Sequence, residues 1–181
     1  ISKFALPQFL KKKFDEKFET LTKLGIIDPI VEFKLNSFLK DNYHLFNLRI
    51  KESKIRDIHG DLYLKNIFII GNRFFLYDRI EFNDSLRYSD VVEDVAHLAM
   101  DLDYHQQKDL REYFISQYIK KSNDKDIINL VYFMMCYKAC VRTKVSLFRA
   151  IEVEINSKKK ITFQNEAKKH LRLARQYIKL F

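Results

Sequence analysis

Only three glycines, Gly25, Gly60 and Gly71, occur in 181 residues, and none of them belongs to a glycine-rich turn. Such a chain cannot supply a β-rich lobe built around a glycine-rich loop, and helical periodicity fills most of its length instead. Residues 8–24 place Phe9, Leu10, Phe14, Phe18, Leu21 and Leu24 on one helical face, and Gly25 ends that run. Asp28-Pro29 opens a second predicted helix over 30–48, with Asp28 as N-cap and Pro29 in the first turn. Further helices are predicted over 90–102, 107–120, 126–154 and 163–180. Ser122-Asn123-Asp124 reads as a turn and Asn156-Ser157-Lys158-Lys159-Lys160 as a charged linker. With 47% hydrophobic residues and 16 Phe, the chain buries a sizeable core without staples. The expectation is a single domain over 1–181, mainly α with a small β-hairpin.

The hairpin falls beside the most informative residues. Ile67-Phe68-Ile69-Ile70 and Phe74-Phe75-Leu76-Tyr77 are short β-branched and aromatic runs separated by Gly71-Asn72-Arg73, which reads as a tight turn. Folding it brings Asn66, at the start of the first strand, beside Asp78, at the end of the second, about one strand spacing or ~5 Å apart. Two oxygen donors at that separation suit a small hard cation that keeps part of its water. Just upstream stands His59-Gly60-Asp61-Leu62-Tyr63-Leu64-Lys65-Asn66. A His-x-Asp followed by four residues and Asn is the form of a kinase catalytic loop. Phosphoryl transfer needs one carboxylate to orient the nucleophile, and an amide oxygen with a second carboxylate to hold magnesium against the phosphates. Asp61, Asn66 and Asp78 supply those groups. His59 reads as an orienting group, and Gly60 lets the backbone pass close to its neighbours.

From Arg56-Asp57-Ile58-His59-Gly60-Asp61-Leu62 through Asn66-Ile67, then Asp78-Arg79-Ile80-Glu81-Phe82-Asn83 and Leu86-Arg87-Tyr88-Ser89-Asp90-Val91-Val92-Glu93-Asp94-Val95-Ala96, the chain resembles the aminoglycoside phosphotransferase and choline kinase group of the protein-kinase-like fold. Within it, the likeness is to proteins often fused to a P-loop ATP-binding domain. Tyr137-Lys138-Ala139-Cys140-Val141-Arg142-Thr143-Lys144-Val145 resembles the same group. The resemblance implies the helical carboxy-terminal lobe of a kinase, with a catalytic loop over 57–66 and a metal-binding hairpin over 66–82. It implies Asp61 as catalytic base, Asn66 and Asp78 as magnesium ligands, ATP and Mg²⁺ as cofactors, and a small-molecule hydroxyl as acceptor. Glu81 resembles a second acid acting on metal or substrate, and Asp94 a carboxylate that braces the loop. Tyr63 and Lys65 depart from the group's pattern. Lys65 either reaches a phosphate of the bound nucleotide or faces solvent, and the sequence leaves both open. The helices after the hairpin line the acceptor pocket in that fold, so Asp101 and Asp103 are expected to offer an acidic wall to a cationic acceptor. The nucleotide-binding amino-terminal lobe is expected outside this chain, which opens on Ile rather than Met.

The net charge of +9 is concentrated at one end, since residues 157–181 carry eight basic side chains against Glu166 alone. A solvated helix face, with Ile161, Phe163, Leu171, Leu173, Tyr177 and Ile178 packed inward, outweighs a nucleic-acid contact, for no nucleic-acid motif accompanies it. The competing function class is an inactive scaffold that binds RNA or an acidic partner through this helix. Asp90, Asp94, His97 and Asp101 share a helix face at metal-ligand spacing, but capping by Asp90 and bracing by Asp94 account for them better. Cys136 and Cys140 share a face as well, and buried inert thiols outweigh a metal pair. Two cysteines without a secretory pattern fit a reducing, cytoplasmic compartment, and no apolar run has the length to span a bilayer.

Overall fold

A computed structural model describes residues 6–23, 28–154 and 157–181. In chain order these form α1 (Pro7–Lys23), α2 (Pro29–Asp41), α3 (Tyr43–Lys51), β1 (Ile55–Asp57), a 3₁₀ turn (Leu64–Asn66), β2 (Ile67–Ile70), β3 (Arg73–Leu76), α4 (Asp84–Arg87), β4 (Tyr88–Asp90), α5 (Val92–Tyr104), α6 (Lys108–Ser122), a 3₁₀ turn (Lys125–Ile127), α7 (Ile128–Glu152) and α8 (Lys158–Tyr177). The protein is therefore mainly helical, with two small antiparallel strand pairs.

The core is organised around α7, which buries Leu130, Val131, Phe133, Met134 and Met135 in its first turns and Cys136, Ala139 and Cys140 beyond them. Helices α5 and α8 pack along it. Phe133 is the hub of an aromatic cluster, stacked on Phe38 of α2 at 4.6 Å and tilted against Phe14 of α1 at 5.6 Å, with Phe46 of α3 and Phe181 at its edge. Both cysteines are buried and unpaired, and Cys136 Sγ donates to the Ala174 carbonyl at 3.5 Å.

Local chemistry explains where the helices begin and where the sequence reading needs correction. Asp28 accepts from the Ile30 and Val31 amides at 3.0 and 3.3 Å with Pro29 in the first turn, as expected of an N-cap. The expected continuous helix over 30–48 is instead two helices. At Asn42 the side-chain Nδ2 and the backbone N–H both donate to the Phe38 carbonyl, at 2.9 and 3.0 Å, and close the first helix there. Residues 158–160 are not linker but the first turn of α8, because Ser157 caps the helix by accepting from the Lys160 amide at 3.2 Å. Ile161 is exposed rather than packed, and Ala167, His170, Leu173, Ala174 and Tyr177 form the inward face. Asn123 closes α6 in the left-handed conformation, φ 53°, matching the expected turn. The end of the first helix at Gly25, and Leu24 within it, lie outside the described residues, as does Asn156.

Strands β1 and β4 were not anticipated. They pair Ile55 with Asp90, Arg56 with Ser89 and Asp57 with Tyr88, tying the chain before the His59–Asn66 loop to the chain entering α5. Two buried ionic clusters lock this junction. Arg49 forks onto Asp90 at 2.5 and 2.7 Å and onto Asp124 at 2.9 and 3.0 Å. Glu93 accepts from Lys138 of α7 at 2.9 Å, from Lys13 of α1 at 3.2 Å and from Ser89. The two flanking ammonium groups outweigh burial and hold the Glu93 carboxyl far below its ordinary value.

Candidate functional site

The loop between β1 and β2 is shaped by backbone hydrogen bonds that converge on α5. Both oxygens of Asp94 are engaged, one by the His59 amide at 2.7 Å and the other by the Gly60 amide at 2.9 Å. Burial raises the Asp94 carboxyl, opposed by the Lys138 charge and these two N–H groups. Two turns further along α5, Asp101 accepts from the Leu64 amide at 2.9 Å and starts the 3₁₀ turn that ends at Asn66. Gly60 has φ +84°, and a Cβ there would lie 3.0 Å from the Leu86 carbonyl and 3.1 Å from the Ile80 side chain, so no other residue fits without displacing backbone. The His59 ring meets the Tyr77 carbonyl through Nε2 at 2.9 Å, and the His59 carbonyl accepts from the Ile80 amide at 3.0 Å. His59 thus ties the loop to the far end of the hairpin.

The hairpin forms as expected, with Ile67 opposite Leu76 and Ile70 opposite Arg73. Gly71 makes the reversal at φ 58°. Asn66 lies one residue before β2 rather than within it, and its carbonyl accepts from the Tyr77 amide at 3.1 Å, extending the ladder by a step. Asn66 is buried, its Nδ2 donates to the Asp61 carbonyl at 3.0 Å, and its Oδ1 has no donor among the described residues. Asp78 follows directly after Tyr77 in the left-handed region, φ 60°, a conformation that Asp tolerates better than most side chains. Its carboxylate is exposed and forms no ion pair among the described residues. The hairpin thereby brings together an unclaimed amide oxygen, an unclaimed carboxylate and the Asp61 loop.

Asp61 is half-buried, with Oδ1 3.7 Å from Nδ1 of His97 on α5. Lys65 and Glu81 are both exposed at the mouth of this arrangement, and the Lys65 carbonyl accepts from the Tyr77 hydroxyl at 2.9 Å. The expected acidic acceptor wall is corrected. Asp101 is buried beneath the loop it braces, and Asp103 faces α6 and α8, accepting from Arg111 and from the Tyr177 hydroxyl at 2.7 Å each. On the shared face of Asp90, Asp94, His97 and Asp101 the three carboxylates are consumed by structural bonds, and among the described residues no group of three or more acidic, histidine or cysteine side chains is arranged to hold a metal.

That donor set has a chemical meaning. Asn66 and Asp78 offer two oxygen ligands, too few for a dedicated cage but sufficient for magnesium that completes its octahedron with water and phosphate oxygens. Two residues that sequence reasoning assigned no role in the reaction also stand here. His97 is 2% exposed, neither ring nitrogen has a hydrogen-bond partner among the described residues, and its ring stacks on Tyr63 with centroids 5.7 Å apart. Arg142, 8% exposed, lays its guanidinium 4.6 Å over the same Tyr63 ring. Spacing drew notice to His97 only as a candidate metal ligand and gave no sign of Arg142, because the contacts of both with Tyr63 join three distant segments.

Uncharacterized proteins of Mycobacterium tuberculosis, in two strains, and of Mycobacterium bovis are 37% identical to this chain over 148 residues. The match covers 82% of the chain but only 28% of each relative's length. No family model matches the sequence, and no solved structure matches. No helix among the described residues is long and apolar enough to cross a membrane.

Proposed function

We propose that the protein containing this chain transfers the γ-phosphate of ATP to a hydroxyl group of a small-molecule acceptor, and that the chain is the helical carboxy-terminal lobe of a kinase of the aminoglycoside phosphotransferase and choline kinase group. The observation that carries this reading is the convergence of Asp61, Asn66 and Asp78. The Asn66 amide is pinned to the Asp61 carbonyl and the Asn66 carbonyl to the residue preceding Asp78. Asp61 accepts and orients the acceptor hydroxyl proton, which puts the nucleophilic oxygen in line with the phosphorus. Asn66 Oδ1 and the Asp78 carboxylate are the groups that would hold Mg²⁺, and the ion would supply positive charge to offset that of the phosphates. Asp94 fixes the loop from below, Glu81 is an additional acid at the mouth, and Lys65 is free to swing onto a phosphate.

The adenosine moiety requires residues beyond those described, because α1–α3 fill the space before the loop with helix. The hairpin exposes Ile69, Ile70, Phe74 and Leu76, and nearby Phe82 is 86% exposed, an apolar surface suited to cover by a nucleotide-binding lobe. The buried, unpaired thiols of Cys136 and Cys140 fit a cytoplasmic setting.

The test follows phosphate transfer from Mg·ATP to a panel of hydroxyl-bearing small molecules by the full-length protein and its Asp61→Asn variant. Transfer that falls about 10²- to 10⁴-fold in the variant is the expected result. Undiminished transfer in the variant would remove Asp61 from the chemistry and the reading with it.

A further inference from the structure

Buried guanidinium groups elsewhere in this molecule are matched to acids. Arg49 is forked between Asp90 and Asp124, and Arg111 binds Asp103 and Glu112. Arg142 is the exception. It is more than nine-tenths buried, yet among the described residues no carboxylate, carbonyl or hydroxyl accepts a hydrogen bond from it, and its one close partner is the face of Tyr63. The two acids that act on Tyr104 alongside Arg142 are engaged elsewhere, Asp101 by the Leu64 amide and Glu166 by Ser146 at 3.5 Å. No Arg142 nitrogen is among the fully enclosed side-chain atoms without a partner, so the guanidinium, its stem buried, keeps an opening through which it can take an oxyanion. Nearby, Lys169 of α8 lies 4.0 Å over the Tyr104 ring and is also without an acid partner. The second buried group without partners, His97, stands between Tyr63 and Asp61 with both nitrogens unbonded among the described residues.

Tyr63 belongs to the loop, two residues after Asp61, so a ligand held by Arg142 would lie on the side of the loop where the helices α5, α7 and α8 meet. Resting on the kinase reading above, we propose that Arg142 is the specificity-determining residue of an acceptor subsite, and that the acceptor carries an anionic group, phosphate or carboxylate, besides its reacting hydroxyl. The guanidinium takes the oxyanion in a bidentate contact and Tyr63 sets its plane. His97 offers an N–H toward Asp61 or the bound hydroxyl, since either ring nitrogen is free to carry the proton. This reverses the expectation of a cationic acceptor, because on the Tyr63 side of the loop the charge without a counter-ion among the described residues is the Arg142 guanidinium, whereas the free carboxylates Asp78 and Glu81 stand at the hairpin.

The experiment uses the full-length protein, titrated calorimetrically with inorganic phosphate, with succinate and with Mg·ATP, in wild type and in Arg142→Gln and Arg142→Lys. Phosphate or succinate binding is expected in wild type. It should weaken by about tenfold or more in Arg142→Gln and recover in part in Arg142→Lys, with Mg·ATP affinity unchanged in both. Partial recovery in Arg142→Lys separates a lost contact from a misfolded variant. Anion binding that is absent in wild type or indifferent to Arg142→Gln overturns the proposal. Loss of Mg·ATP binding in parallel overturns it too, by assigning Arg142 to the nucleotide's own phosphate. Arg142-dependent anion binding in a protein that never binds Mg·ATP would sink the kinase reading and leave the anion subsite standing.

Discussion

Single carboxylates decide the geometry of the site. Asp94 serves two backbone amides with its two oxygens, so Asp94→Asn leaves one loop N–H facing an amide nitrogen. A loss of about 1–3 kcal/mol in denaturant-derived stability is expected, with a fall in any phosphotransfer activity as His59 and Gly60 lose their anchor. Unchanged stability would mean that the loop holds its shape without α5. The close approach at Gly60 was legible from its place between His59 and Asp61, whereas the Asp94 brace, 34 and 35 residues from the amides it holds, was legible only through the resemblance. Asp101 and Asp103 were misplaced. Their spacing puts them on α5, but which way they face is set by the 3₁₀ turn at Leu64 and by Arg111 and Tyr177, and periodicity carries no information about those.

Helices and strands were legible where a local signal marks them. Gly71-Asn72-Arg73 between two β-prone runs gave the hairpin, and Asp28-Pro29 the start of α2. No turn signal marks β1 and β4, three residues each and separated by more than thirty, which exist because Ile55–Asp57 and Tyr88–Asp90 meet beneath the loop. The break at Asn42 was hidden because an internal Asn is compatible with a helix until its side chain takes a carbonyl. At this scale the Glu93 cluster is the joint between α1, α5 and α7. Glu93→Gln leaves the buried Lys13 and Lys138 facing a neutral amide, and a loss of about 3–5 kcal/mol is expected by chemical denaturation. Replacing Glu93, Lys13 and Lys138 together by apolar residues should restore much of it. If Glu93→Gln cost less than about 1 kcal/mol, the cluster would be no stronger than a surface pair. Phe133→Ala, which empties the hub of the aromatic cluster, should cost a similar 3–5 kcal/mol.

Across the whole molecule the buried histidines make stability depend on pH. Burial pushes His170 down to about 4, and burial with the nearby Lys138 and Arg142 charges pushes His97 well below its ordinary value. Both are neutral in the folded chain and gain protons more readily when unfolded. Their contribution is therefore full above about pH 6.5 and is lost as pH falls toward the folded values. Glu93, held charged in the folded chain, adds a further loss below about pH 4.5. For His170 the loss at pH 5 is about 2 kcal/mol, read from denaturation at pH 7 and pH 5, and His170→Phe, which keeps the stacking on Tyr104, should flatten that part of the slope. A slope unaltered by His170→Phe would place the titration elsewhere.

The central claim is that Asn66 and Asp78 form a magnesium–nucleotide site in front of Asp61. Its most direct test is calorimetric titration of the full-length protein with ATP, with and without magnesium, beside the Asp78→Asn variant. The account predicts binding that requires magnesium and is lost in Asp78→Asn. Binding that ignores both magnesium and Asp78 would contradict it.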